Sequence, residues 1–201
     1  MFTGIVTTVG SIRAVRGNGV LAVDVAAPAV AGALERGGSV AVNGVCLTAT
    51  RVRRRRFSVE VVPETQRRTT LGALRRGASV NIELPARPQD RLGGHLVQGH
   101  VDGVVVVEAV TEDGGARRVR WRAGSDVLRH IAPRGSVAVD GVSLTVASVA
   151  RQTFDVALIP HTLGVTTLGR LRPGHRANLE TDVIAKYVDR LTSLAAPEPS
   201  S

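Results

Sequence analysis

The sequence predicts an all-β fold made of two copies of one small barrel or sandwich, followed by a single helix. Three observations carry this expectation. Residues 38–83 lie on residues 135–180 at a constant offset of 97 without a gap, and 24 of the 46 position pairs are identical. Apolar and polar residues alternate with period two between closely spaced turn signals, as in strands with one buried face. The period changes to that of a helix only after both copies are complete. A repeat of this length is too long for a solenoid unit and suits an independent domain.

Taken in order, the chain opens on Phe2-Thr3-Gly4-Ile5-Val6, which returns at offset 95 as Val97-Gln98-Gly99-His100-Val101. Alternation places strands at Leu21-Ala22-Val23-Asp24-Val25, Phe57-Ser58-Val59-Glu60-Val61, Val80-Asn81-Ile82-Glu83-Leu84 and Val119-Arg120-Trp121-Arg122. Gly17-Asn18-Gly19, Gly37-Gly38, Asn43-Gly44, Asp113-Gly114-Gly115 and Asp140-Gly141 are the turns between strands. The run Arg53-Arg54-Arg55-Arg56 separates two strand-like segments and reads as an exposed hairpin turn. Short helical turns are expected over residues 28–36 and 124–131, and residues 85–94, with two prolines and no periodicity, form the connection. The resulting layout is a first barrel at 1–95, a second at 96–182, a helix at 183–195 and a tail at 196–201 with two prolines, expected to fray. Val183, Ile184, Tyr187, Val188, Leu191 and Leu194 share one stripe of that helix. The stripe either packs on its own barrel or joins copies of the chain, since it lies beyond both repeats.

Composition narrows the function classes. The net charge of +9 invites a polyanion partner, but the only lysine is Lys186, so the excess is arginine of the kind a codon bias produces. Aromatic residues make up 2% of the chain, which leaves few stacking partners for unpaired bases, and no nucleic-acid partner is expected. A single cysteine, Cys46, excludes an internal disulfide framework. No signal peptide or membrane-length apolar run is evident, so a soluble cytoplasmic protein is expected. The five histidines and Cys46 show no zinc-ligand spacing, and Gly93-Gly94 leads into no phosphate loop, so neither metal nor cofactor is expected.

The residues that could carry chemistry are those where the copies differ. Cys46 is replaced by Ser143, and each is followed two residues on by a hydroxyl, Thr48 or Thr145, on the same strand face. Such a face can hydrogen-bond a polar heterocycle, although a lone cysteine is also an ordinary small core residue. His100 stands where the first copy has Ile5, a titratable group in place of an apolar one. His95 lies five residues earlier, so on an extended strand the two face opposite sides unless Gly99 bends the chain. Pro63-Glu64-Thr65 answers to Pro160-His161-Thr162 at a strand end, where turn chemistry is the simpler explanation.

Together these motifs resemble the riboflavin synthase family, enzymes with two lumazine-binding repeats. The likeness covers nearly the whole chain and includes Met1-Phe2-Thr3-Gly4-Ile5-Val6, Asn43-Gly44-Val45-Cys46-Leu47-Thr48, the central Gly93-Gly94-His95-Leu96-Val97-Gln98-Gly99-His100-Val101, and Asn178-Leu179-Glu180-Thr181-Asp182. It implies two six-stranded Greek-key barrels, a C-terminal helix and a homotrimer, with one site shared between the first barrel of one subunit and the second of a neighbour. It also implies a transferase reaction: two molecules of 6,7-dimethyl-8-ribityllumazine dismutate to riboflavin and 5-amino-6-ribitylamino-uracil, without cofactor or metal. Association with lumazine synthase is a further implied partner. The family's contacts fall on Gly4, Ile5, Val6, Ser39, Cys46, Leu47, Thr48, Gly99, His100 and Val101 around one lumazine, with the strand end Glu60, Val61, Val62, Pro63, Glu64 and Thr65. Around the other they fall on Ser143, Leu144 and Thr145, with Ala157, Leu158, Ile159, Pro160, His161 and Thr162. Arg134 stands where the family commonly has a lysine, which keeps the charge but not the shape. In this reading His100 assists proton transfer, Cys46, Ser143 and Thr145 position rings, and Asp182 orients a hydroxyl.

Two rival readings remain. A non-catalytic lumazine- or flavin-binding paralogue would use the same barrels, but a decayed second pocket would be expected, and both copies keep their hydroxyl-rich strand and strand-end motif. A basic nucleic-acid-binding barrel would require a strongly salt-dependent affinity.

Overall fold

The computed structural model describes residues 1–195. The expectation for the 196–201 tail lies outside them. The first barrel contains β1 (Thr8–Arg16), β2 (Leu21–Ala26), β3 (Ser39–Val42), β4 (Val45–Arg53), β5 (Arg56–Val61) and β6 (Ser79–Glu83). The second contains β7 (Gly103–Asp113), β8 (Ala116–Arg122), β9 (Ser136–Val139), β10 (Val142–Val149), β11 (Thr153–Leu158) and β12 (Arg176–Thr181). Each is closed, and the ring order β1-β2-β5-β4-β3-β6 recurs in the second as β7-β8-β11-β10-β9-β12. All pairings are antiparallel. The non-neighbour connections are β2 to β3 and β5 to β6, each pair consecutive in sequence but separated in the ring. Closure leaves no sheet edge to pair with another chain.

Period-two alternation explains why these segments form a barrel. In β4 the pattern puts Val45, Leu47 and Ala49 inside, while Cys46 and Thr48 face outward. In β10 it puts Val142, Leu144 and Val146 inside, with Ser143 and Thr145 outward. The cores are aliphatic and Val-rich, supplemented by Phe57 in one barrel and Phe154 and Trp121 in the other. Bulges interrupt β1 and β7 between Ile12 and Ala14 and between Val107 and Ala109, at equivalent positions in the repeat, and they let the strands bend around the barrel. The expected helical turns are α1 (Pro28–Ala31) and α3 (Ser125–Leu128). The Thr-Thr-Leu-Gly elements are short 3-10 turns in which the Thr69 and Thr166 hydroxyls accept from the Leu71 and Leu168 amides.

The barrels meet on a pseudo-twofold seam. The turns Asn43-Gly44 and Asp140-Gly141 face each other so closely that a Cβ on Gly44 would lie 2.5 Å from the Gly141 nitrogen. Asn81 Nδ2 donates to the Asp140 carbonyl at 2.9 Å and Asn178 Nδ2 to the Asn43 carbonyl at 2.8 Å. The Asn81 and Asn178 amides donate to the side-chain oxygens of Asn43 and Asp140, at 2.7 and 2.8 Å.

Helix α5 (Val183–Ala195) follows β12. Its polar side is pinned to the second barrel: Lys186 pairs with Asp102 at 2.7 Å, and Asp189 accepts from His130 and Arg129. Its apolar stripe does not pack on its own barrel, since Tyr187 and Leu191 are 65% and 67% exposed and Ile184, Val188 and Leu194 are exposed beside them. No helix among the described residues is long and apolar enough to cross a membrane.

Candidate functional site

Two outward strand faces, one per barrel, are each covered by a segment that crosses from the other repeat. Residues 97–101 lead into β7 of the second barrel, yet they lie on the first. The Cys46 amide donates to the Gly99 carbonyl at 2.9 Å, and Val101 packs against the first barrel's core. Gly99 has φ +81°, and a Cβ there would sit 2.5 Å from the Cys46 Cβ. Residues 2–6 make the mirror-image crossing. The Ser143 amide donates to the Gly4 carbonyl at 2.8 Å, and Val6 is buried in the second barrel's core. Gly4 has φ +76°, and its Cβ would lie 2.6 Å from that of Ser143. Close approach with positive φ requires glycine at both points.

A carboxylate at the end of each barrel's last strand fixes the crossing. Glu83 accepts from the Thr3 amide and hydroxyl at 2.7 and 2.8 Å and from the Gly4 amide at 3.1 Å. Glu180 accepts from the Gln98 and Gly99 amides at 2.7 and 2.9 Å. Burial raises the pKa of both above the ordinary carboxylate value, and the hydrogen bonds from the crossing segments oppose that rise.

This geometry corrects the expected grouping. Gly4, Ile5 and Val6 belong with Ser143, Leu144 and Thr145 rather than with Cys46, while Gly99, His100 and Val101 stay with Cys46, Leu47 and Thr48. The opening segment of each repeat lies over the other barrel. The reason is the anchoring: each segment is held by the last strand of the barrel it leads into, and the short seam leaves it reaching across. A second correction concerns side chains. Val6, Leu47, Val61, Leu144 and Leu158 point into the cores, so only their backbone can meet a ligand on the outer face.

On the first face, Cys46 is half-buried, Thr48, Glu60, Val62 and His100 are exposed, and Ser39 pairs across the ladder with Thr48. Pro63, Glu64 and Thr65 begin the short helix α2 (Pro63–Arg68), where Glu64 is ion-paired with Arg67 and Arg68. On the second, Ser143 is half-buried, and Thr145, Ala157, Ile159 and Ile5 are exposed. Pro160, His161 and Thr162 begin α4 (Pro160–Val165), with His161 exposed.

His95, which strand alternation alone assigns to no face, occupies the second one. Its Nδ1 lies 2.7 Å from the Ser143 hydroxyl, and its Nε2 is buried without a partner among the described residues. Burial lowers its pKa, only partly offset by the negative charge of Asp182, so the ring is neutral at neutral pH. Asp182 is half-buried and accepts from the Ile184 amide at 3.0 Å, at the start of α5. At offset 95 His95 is paired with no residue of the sequence. The available signal was Gly94 beside it, where a Cβ would meet the Thr3 carbonyl oxygen at 2.2 Å and the Ser143 Cβ at 2.8 Å.

Arg134 is exposed, holds φ +66°, and donates its amide to Val146 at 2.8 Å. Its repeat counterpart is Gly37, which makes the same bond to Ala49 at 2.8 Å with φ +85°. An arginine held in the left-handed region where the sister copy uses glycine is strained, which marks the side chain as the reason for the residue.

Comparison with known proteins agrees with the two-repeat organisation. A lumazine binding domain family model matches residues 3–85 and again 98–182. The chain is 38% identical to riboflavin synthase of Actinobacillus pleuropneumoniae over 100% of its own length and 94% of that protein. It is 45% identical to the riboflavin synthase of Mycobacterium bovis over 95% of this chain and 98% of that one. Among solved structures it is similar to LumP complexed with riboflavin, with a TM-score of 0.81 and 27% identity over 90% of this chain and 99% of that one.

Proposed function

Because the chain belongs to the riboflavin synthase family, with a lumazine binding domain in each repeat, we propose that it dismutates two molecules of 6,7-dimethyl-8-ribityllumazine to riboflavin and 5-amino-6-ribitylamino-uracil. The observation that carries this reading is the pair of equivalent outer faces, each with its crossing segment, that differ in their reactive groups. One face offers Cys46 and His100, the other Ser143, His95 and Asp182. Two seats of different chemistry give two identical molecules different roles. A four-carbon unit leaves the donor ring and completes the third ring of the acceptor, so atoms and electrons balance between the two lumazines and no outside oxidant is needed.

The 7-methyl group of the lumazine is acidified by conjugation, so a modest base and a stabilised anion suffice to start the reaction. The His95 ring, with Nδ1 hydrogen-bonded to Ser143 at 2.7 Å, holds that hydroxyl in place on the second face. His100 supplies the titratable group on the first. Cys46, Thr48 and Thr145 orient the rings, and Arg134 brings a cation from an adjoining subunit. Holding the rings face to face accounts for much of the acceleration.

Both faces open outward, so the pair that reacts is completed by a neighbouring chain. The exposed stripe of α5 is the surface that assembles the homotrimer implied by the family, in the cytoplasm. Purified protein mixed with the lumazine should develop the visible absorbance of riboflavin, with one riboflavin formed for every two lumazines consumed. Saturable lumazine binding with no riboflavin after hours would instead identify a binding protein.

A further inference from the structure

The end of the first barrel formed by the β4–β5 hairpin carries a charge imbalance that the proposed reaction does not use. Arg13, Arg16, Arg36, Arg51, Arg53, Arg54, Arg55 and Arg56 are all exposed there. They line three adjoining hollows that share Arg53, and Asp24 is the single acidic residue lining any of them. Both carboxylate oxygens of Asp24 are already engaged: Oδ1 accepts from the Ser58 hydroxyl at 2.7 Å and Oδ2 from Arg16 at 2.8 Å. The Ser58 bond first, and Arg16 after it, holds the Asp24 carboxyl below its ordinary pKa. Arg51, Arg53 and Arg56 therefore have no ion-pair partner among the described residues.

An arginine-rich codon usage alone does not explain this clustering, because the arginines on β8 of the second barrel are each matched by a carboxylate. There Arg117 pairs with Glu112 at 2.8 Å, Arg118 with Asp113 at 3.4 Å, Arg120 with Asp155 at 2.9 Å and Arg122 with Glu108 at 2.8 Å. At the repeat counterparts of Arg13, Arg16, Arg36, Arg51, Arg53, Arg55 and Arg56 stand Glu108, Thr111, Pro133, Ser148, Ala150, Gln152 and Thr153. Only Arg54 keeps an arginine, Arg151. Arg134, Arg151, Arg170, Arg172 and Arg176 of the second barrel are also without an ion pair among the described residues, but only the first barrel's cap gathers eight arginines around three adjoining hollows.

We propose that this cap is a binding site for a compact polyphosphate group, a pyrophosphate or triphosphate moiety. Its centre is the hollow of about 340 Å³ bounded by Arg16, Asp24, Arg51, Arg53, Arg56 and Ser58. Planar guanidinium forks suit phosphate oxygens, and several of them around one hollow match a ligand carrying more than one phosphate. The bounded volume suits a small ligand rather than a groove tracking a duplex, and the only aromatic residue lining it, Phe57, is buried, which leaves no platform for stacking bases. The hollow adjoins the first lumazine face without containing its residues: Ser58 is one outward position from Glu60 on β5, about 7 Å at the rise of a β-strand, whereas Arg53, at the far end of β4, is about 20 Å from Cys46.

Calorimetric titration of the full chain with tripolyphosphate at fixed ionic strength tests the proposal. The comparisons are inorganic monophosphate, a short DNA duplex, the double variant R53A/R56A, and the charge-matched R118A/R122A in the second barrel. One saturable site per chain is expected, weakened about tenfold or more by R53A/R56A and left unchanged by R118A/R122A, with monophosphate far weaker. Riboflavin formation should be unaffected in R53A/R56A, which also shows that the variant is folded. No saturable binding, an equal loss in both double variants, or duplex DNA binding more tightly than tripolyphosphate would each overturn it.

Discussion

Asp140 sits at the centre of the inter-barrel seam, and its repeat counterpart Asn43 shows what the position accepts. Both residues have φ +45°, both donate their amide to the next asparagine's carbonyl, at 2.9 Å for Asn43 and 2.8 Å for Asp140, and both accept from that asparagine's amide through a side-chain oxygen. Burial pushes the Asp140 carboxyl up to about 7 from 3.8, and the Asn178 hydrogen bond only partly restrains it. A folded pKa above the unfolded value means that the stability contributed by the neutral acid is complete below pH 3.8 and is lost as pH rises through about 7. The difference of about 3 pH units sets a ceiling of about 4 kcal/mol, and relaxation around the charge leaves about 2 kcal/mol as the working expectation. Asp140→Asn removes the titration while keeping the acceptor oxygen. Urea denaturation of both proteins from pH 4 to pH 8.5 should show near-equal stability at the acid end and a growing advantage for Asp140→Asn, levelling off above pH 7. A difference that stays flat across that range would refute the reasoning, whatever its size.

Further outcomes follow from the site. His95→Ala leaves the Ser143 hydroxyl without its partner and should lower kcat about 10²–10⁴-fold with lumazine binding retained, read by turnover across pH and by ligand fluorescence. Gly99→Ala should cost about 1–3 kcal/mol through the left-handed backbone and the Cys46 clash, and should abolish lumazine binding at the first face alone; Gly4→Ala should do the same at the second, and binding stoichiometry distinguishes them. Arg134→Gly should raise stability by about 1 kcal/mol in denaturation while lowering activity. Leu191→Asp should reduce the mass seen by light scattering, keep the β-sheet circular dichroism, and suppress riboflavin formation.

Much of the fold was legible because its physics is local. Alternation in β4 and β10 assigns Cys46, Thr48, Ser143 and Thr145 to outer faces, and the Asn43-Gly44 and Asp140-Gly141 turns mark the hairpins. Alternation also separates His95 from His100: His95 lies against Ser143 of the second barrel, and His100 follows Gly99, which abuts Cys46 of the first. The crossing was not legible: matching Phe2-Thr3-Gly4-Ile5-Val6 to Val97-Gln98-Gly99-His100-Val101 shows that the segments are equivalent, but not over which barrel each lies. That choice is made by contacts remote in sequence, Glu83 with Gly4 and Glu180 with Gly99. His95 escaped for a related reason, since at offset 95 comparison of the copies gives it no residue to be weighed against. The helix stripe left two readings open, and the exposure of Tyr187 and Leu191 favours the one in which chains associate.

The central claim is that a working site joins the first face of one chain to the second face of its neighbour. Mixing Gly99→Ala chains with Gly4→Ala chains, each inactive alone, tests it most directly once subunits have exchanged. Neighbouring intact faces should then arise by chance and restore about a quarter of the wild-type rate of riboflavin formation. A mixture that stays as inactive as its components would contradict a site shared between chains.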